Sequence, residues 1–348
     1  MESLLYFFIV ILAIALLAAL LFFTMRRPAS RESDAAGDYA AGLNYLVSGE
    51  TNLALEKLKS TVRKDTDNID AYIKIGDILR ENGKVDQAIK VHRDLTARTS
   101  LSLADQLLIL RSLEADFEQK QAYDSALKVL EKIYELKKDD IWAREKELQI
   151  HEARHDWEKA EVVYRKLSKQ KNKPDSKKLA YYRVEIGRQC MKNGKSKEAR
   201  EAFRQAMKVD SSFYPAYMEL SENYINEDRP NDALEILKKF AQANPDEAAK
   251  AFDKIKELLF TIGEFGEIEN VYSQVIASSP ENWEAYLALA EIREKKGEMD
   301  GAINLCQQIL QKNPDSKKAR EHLVRFYHRQ GNDRLAVEQA LAIFNAEK

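Results

Sequence analysis

Glycine and proline are scarce in this chain, 12 and 7 among 348 residues, about half the usual share of each. Few tight turns can be built from so few breakers, which argues against a β-sandwich, a β-barrel, collagen-like sequence or a disordered tail. Long helices with short connections are the remaining economy. Cysteine is limited to Cys190 and Cys306, too few for a four-ligand zinc site or a multi-bridge framework, and their spacing suggests no redox pair. Both fall at packing positions and read as small buried hydrophobes. An excess of either charge is also missing. The 55 basic and 57 acidic side chains leave a net charge of −2, so there is no bulk positive field for nucleic acid. No phosphate-cradling glycine loop, G-x-S-x-G or C-x-x-C occurs, and no cofactor is expected.

One long apolar run is present. Leu4 to Phe23 is twenty residues without a charge, long enough as a helix to span about 30 Å of hydrocarbon. It lacks a basic n-region and a small-x-small cleavage site, so it reads as an uncleaved transmembrane anchor rather than a secretory signal. Arg26 and Arg27 follow it, and the bias of basic residues toward the cytoplasm places the body of the chain inside the cell. The expected organisation is an anchor over 1–25, a linker over 26–37 and a helical body over 35–348.

That body repeats. Ala54, Ala88, Ala126, Ala160, Ala199, Ala233, Ala302 and Ala336 recur in similar surroundings, with Ile268 in the seventh copy. Successive separations are 34, 38, 34, 39, 34, 35, 34 and 34 residues, the period of a helix-turn-helix unit that stacks into a solenoid. Setting the alanine at position 20 places glycine at position 15 in six units: Gly49, Gly83, Gly194, Gly263, Gly297 and Gly331. A left-handed residue there ends the first helix, and the small residue at 20 lets the second approach it. Tyr217, Leu220, Tyr224, Tyr286 and Leu289 fall on one face of their first helices, to pack on Leu237, Phe240, Cys306 and Ile309 of the second helices. Pro245, Pro280 and Pro314 recur at position 32, where proline stops the second helix. The predicted fold is all-α, an N-terminal transmembrane helix followed by a right-handed superhelical solenoid of about nine tetratricopeptide repeats.

One pattern invites an enzyme reading: His151, Glu152 and His155 match H-E-x-x-H, the zinc motif whose two histidines share a helical face. The register opposes it, because His155 sits at position 15, where the helix should end. No metal site and no catalytic residue are therefore expected. His92, His322 and His328 share no ligand spacing and read as packing or surface residues. The five lysines between Lys169 and Lys178 coincide with a five-residue expansion of the repeat and read as a solvated connection. A solenoid offers instead a concave surface lined by first helices at positions 2, 5, 9 and 12. There stand Tyr181, Val184, Arg188, Met191, Met218, Glu222, Ile225 and Phe260, an apolar set with interspersed charge, suited to a peptide segment of a protein partner.

The opening units have particular features: Asp38, Tyr39, Gly42 and Asn44 in DYAAGLN, then Gly83, Asp86, Ala88, Ile89 and His92 in GKVDQAIKVH, preceded by the short apolar run and Arg26-Arg27. This order resembles the lipopolysaccharide assembly protein B family of Gram-negative inner membranes. The resemblance implies a single-pass inner-membrane adaptor with its bulk in the cytoplasm. Such an adaptor presents the lipid A deacetylase to a membrane AAA+ protease and so limits lipopolysaccharide synthesis. The family's C-terminal rubredoxin-like metal module rests on two C-x-x-C pairs, and neither pair occurs in this sequence. The rival class is a periplasmic or generic tetratricopeptide scaffold for envelope or cytochrome complex assembly.

Overall fold

The computed structural model describes residues 29–346. Among them are eighteen α-helices and one short 3-10 turn, Pro245–Glu247. The chain divides into two compact units at Arg154 and His155. The first holds α1 (Ala29–Val47), α2 (Thr51–Lys64), α3 (Ile69–Glu81), α4 (Val85–Thr96), α5 (Leu103–Gln119), α6 (Tyr123–Leu136) and α7 (Ile141–Ala153). The second holds α8 (Trp157–Gln170), α9 (Ser176–Lys192), α10 (Ser196–Val209), α11 (Tyr214–Asn226), α12 (Pro230–Ala243), α13 (Ala249–Ile262), α14 (Glu267–Ser278), α15 (Trp283–Lys296), α16 (Met299–Lys312), α17 (Lys317–Arg329) and α18 (Asp333–Ala346).

The membrane-anchored part of the predicted fold needs correction. Among the described residues no helix is long and apolar enough to cross a membrane. The physical reason is the amphipathic pattern: each helix alternates a buried apolar stripe with charged residues, as α10 does in SKEAREAFRQAMKV. The run from Leu4 to Phe23, with Arg26 and Arg27, lies outside the described residues, and α1 begins at Ala29, within the stretch read as a linker.

The repeat register explains the helix boundaries. First helices open on short polar caps: Asn68 accepts from the Ala71 amide at 2.9 Å, Asp140 from Ala143 at 2.9 Å and Asn282 from Ala285 at 3.1 Å, each satisfying an orphan donor. They close at position 15, where all nine residues have positive φ, from 57° at Gln121 and His155 to 84° at Gly297. Pro245, Pro280 and Pro314 follow the ends of α12, α14 and α16. The expansions of the 34-residue period become helix: α5 and α9 each run 17 residues, whereas α3 and α7 have 13.

Three position-15 residues are not glycine, Gln121, His155 and Asp228. A side chain in the left-handed region costs about 1 kcal/mol, and Asp tolerates it best. Gln121→Gly is therefore expected to stabilise α5 and α6 by about 1 kcal/mol, and Gly83→Ala to weaken α3 and α4 by a similar amount. Amide exchange of those helices reads both changes.

Small residues at position 20 are buried, Ala54, Ala88, Ala126, Ala160, Ala199, Ala233 and Ala302 completely. A second close approach lies at position 8 against position 24. A Cβ built on Gly76 would stand 2.3 Å from His92 Nε2, and one on Gly187 equally close to the Phe203 ring. In the second unit the paired helices share one apolar core from Ala180 to Ala336, which includes Tyr217, Leu220, Tyr224, Leu237, Phe240, Leu289, Cys306 and Ile309. No hairpin there buries its apolar face alone.

Candidate functional site

The motif that resembled a zinc protease is dismantled by the backbone. His151 is buried inside α7, the helix ends at Ala153, and His155 has φ 57°, so the shared i, i+4 face is lost. Among the described residues no group of three or more His, Cys, Asp or Glu is placed to hold a metal ion. Burial pushes the Cys306 thiol up to about 12, a packing cysteine and not a nucleophile. Cys190 is only partly buried, packed against the core, and its thiol is also raised by burial.

Several residues that carry the sequence resemblance serve the scaffold. Asp38 on α1 accepts from Lys57 at 3.1 Å, Ser60 at 2.7 Å and Lys64 at 2.6 Å on α2. These contacts hold its carboxyl far below the usual carboxylate range. The Tyr39 hydroxyl donates to Asp70 on α3, and burial followed by that bond pushes its pKa up to about 12. Gly42 leaves room for Leu58. The His92 ring lies against Gly76, with Nδ1 2.6 Å from Asp116 Oδ2 and Nε2 3.2 Å from the Ile73 carbonyl oxygen. Asp116 also accepts from Arg80 at 3.1 Å. The ring thus ties α3, α4 and α5 together.

On the second unit the structure separates the sequence-nominated groove residues. Tyr181 is 40% exposed and makes an edge contact with Trp157, with ring centroids 5.9 Å apart. Val184 is 1% exposed and belongs to the core. Arg188 is held by Glu185 at 2.5 Å and Glu219 at 2.7 Å. Met191, Met218 and Ile225 are partly buried against the core, and Glu222 pairs with Lys254 at 3.0 Å. Phe260 is half exposed and stacks edge-on against Phe265, also half exposed, with centroids 5.0 Å apart. Phe265 stands in the turn after Gly263, off the helical positions from which the groove was nominated.

The sequence reading also passed over a hollow of about 390 Å³ on α13, α15 and α17. Phe252, Leu287 and, from α14, Tyr272 form its floor, and Asp253, Glu291, Lys318 and His322 its rim. The rim is internally paired: Lys318 reaches Glu284 at 2.6 Å and His322 Nε2 lies 3.1 Å from Glu291. Asp253, Glu291 and Lys318 occupy positions 5, 9 and 2 of their units, so the register contained this surface. Its charged residues at these positions gave no apolar signal.

The family described as "Tetratricopeptide repeat" matches residues 191–253 and 262–316. "Lipopolysaccharide assembly protein B" of Escherichia coli (strain K12) is 22% identical over 277 residues, covering 80% of this chain and 71% of the relative. Its namesake from Haemophilus influenzae is 25% identical over 307 residues, covering 82% and 76%. A crystal structure of MamA protein, 24% identical, covers 48% of this chain and 91% of its own with a TM-score of 0.34, too low for a structural argument.

These findings correct the expected placement and partners. The inner-membrane location rested on the run from Leu4 to Phe23 with Arg26 and Arg27, and the membrane AAA+ protease and lipid A deacetylase on the family resemblance. No membrane-crossing helix occurs among the described residues. The relatives' name speaks of lipopolysaccharide assembly and of no protease or deacetylase. What stands is an all-α repeat protein, matched by the tetratricopeptide-repeat family over two stretches and partly resembling lipopolysaccharide assembly protein B.

Proposed function

We propose that this tetratricopeptide-repeat protein is a generic protein-interaction scaffold, and that the first helices of its second unit hold a segment of a partner protein. The observation that carries this reading is the hollow on α13, α15 and α17, where apolar floor and charged rim share three consecutive repeats. Apolar floors supply affinity and charged rims select sequence and register. Tyr181, Arg188 and Met191 on α9, Met218, Glu222 and Ile225 on α11, and Phe260 on α13 are proposed to extend the surface over the preceding first helices. The three helices are held in one core, so the surface is rigid before a partner arrives, which limits the ordering cost of binding.

Selection of displayed peptides on the full chain tests the proposal. Selected peptides should lose about tenfold or more in affinity for Glu291→Arg or His322→Ala. They should be unaffected by Gln274→Ala, a residue of α14 in the separate hollow between α12 and α14. Equal loss at Gln274, or none at Glu291 and His322, would move the site elsewhere.

A further inference from the structure

A different surface of the second unit joins the end of α8 to the start of α9. From Arg165 to Lys178 the chain carries seven basic side chains and one acid, Asp175, in a protein whose charges otherwise nearly balance. Asp175, itself exposed, caps α9, accepting from the Lys178 amide at 3.1 Å. Elsewhere in the second unit many cations are paired, as Arg183 is with Glu161 at 2.9 Å and Lys238 with Glu267 at 3.1 Å. Here Lys166, Lys169, Lys173 and Lys177 are exposed and stand in no ion pair among the described residues. The segment contains the extra residues of the expanded repeat, so closing the hairpins did not require it.

The geometry arranges these charges. Lys166 and Lys169 share a face of α8 at i, i+3, while Lys177 and the half-exposed Tyr181 share a face of α9 at i, i+4. Four exposed ammonium groups beside an exposed aromatic ring form a local positive patch that favours an anionic partner, most strongly at low ionic strength. We propose that this edge is a docking surface for an acidic segment of a protein, whose carboxylates meet Lys166, Lys169, Lys173 and Lys177 and whose apolar side chain covers Tyr181. Nucleic acid fits less well, because the basic field is local and Tyr181 offers a single exposed stacking ring here. The proposal does not depend on the hollow of α13, α15 and α17.

The test uses the full chain and a fluorescent oligoglutamate peptide with one central phenylalanine, followed by anisotropy. Binding is expected at low ionic strength, weakening as salt is raised. It should fall by about tenfold or more in the variant K166E/K169E/K173E/K177E, and by less in the corresponding four-glutamine variant. All four sites are exposed, so the helical circular dichroism and melting temperature of both variants should match the parent. Phe260→Ala and Glu291→Arg should leave this binding unchanged. The proposal is overturned if the peptide fails to bind at low salt, or if charge reversal does not weaken it. A single-stranded oligonucleotide or an anionic vesicle that binds this edge more tightly than the peptide would also overturn it.

Discussion

Glu114→Gln should raise the stability of α5 and α6 by about 3 kcal/mol at pH 8 and change it little at pH 4. Glu114 stands at position 8 of its repeat, where the first, second and fifth units have Gly42, Gly76 and Gly187. Its side chain is 0% exposed and neither carboxylate oxygen has a hydrogen-bond partner. Desolvation first, and then the charge of Glu118, push its pKa up to about 7, against the pull of Lys146 and Arg80. The neighbouring Asp116 carboxylate is already engaged by His92 and Arg80. Because the folded value lies above the ordinary one, the folded state holds the proton more tightly. Stability is complete below the unfolded carboxyl value and declines as pH rises to about 7, where the folded group ionises. Amide exchange across α5 and α6, corrected for intrinsic rates, should show this slope in the parent and not in Glu114→Gln. An unchanged slope in the variant would mean that Glu114 is ionised in the fold.

Asp116→Ala should act in the opposite direction, destabilising the first unit by about 3 to 5 kcal/mol. Removal of this fully buried carboxylate strands His92, also 0% exposed, and takes one acceptor from Arg80. Arg80 retains Asp77 at 2.7 Å. A purely apolar crossing is nonetheless available, since Gly187 already receives Phe203 where Gly76 receives His92. The double replacement His92→Phe, Asp116→Leu should therefore recover most of the loss, because a buried polar pair replaced as a whole costs little. Urea unfolding of the three variants measures this directly. A double variant as unstable as Asp116→Ala would show that the polar contact itself, and not the stranding of its partners, sets the stability.

The contrast between these residues shows what the sequence displays. Position 15 was readable through six glycines, and the register carried the conclusion to His155, whose positive φ breaks the H-E-x-x-H face. Position 8 was not readable in the same way, because Gly42, Gly76, Glu114 and Ser221 have no common side chain. The His92–Asp116 contact joins residues 24 apart in adjoining repeats, and no spacing rule within one repeat contains it. Position 5 misled for a similar reason. It is buried at Val184 and Ile73 but open at Asp253, so its environment depends on the neighbouring hairpin. The apolar run before Ala29 supplied a membrane reading that the helices of residues 29–346 do not support.

The scaffold reading is tested most directly by site-specific photo-crosslinking in the full chain with a captured partner. A photoreactive residue at position 291, on α15 within the hollow, should crosslink the partner segment, while one at position 274, on α14, should not. Crosslinks from position 274 alone would contradict binding by the first helices.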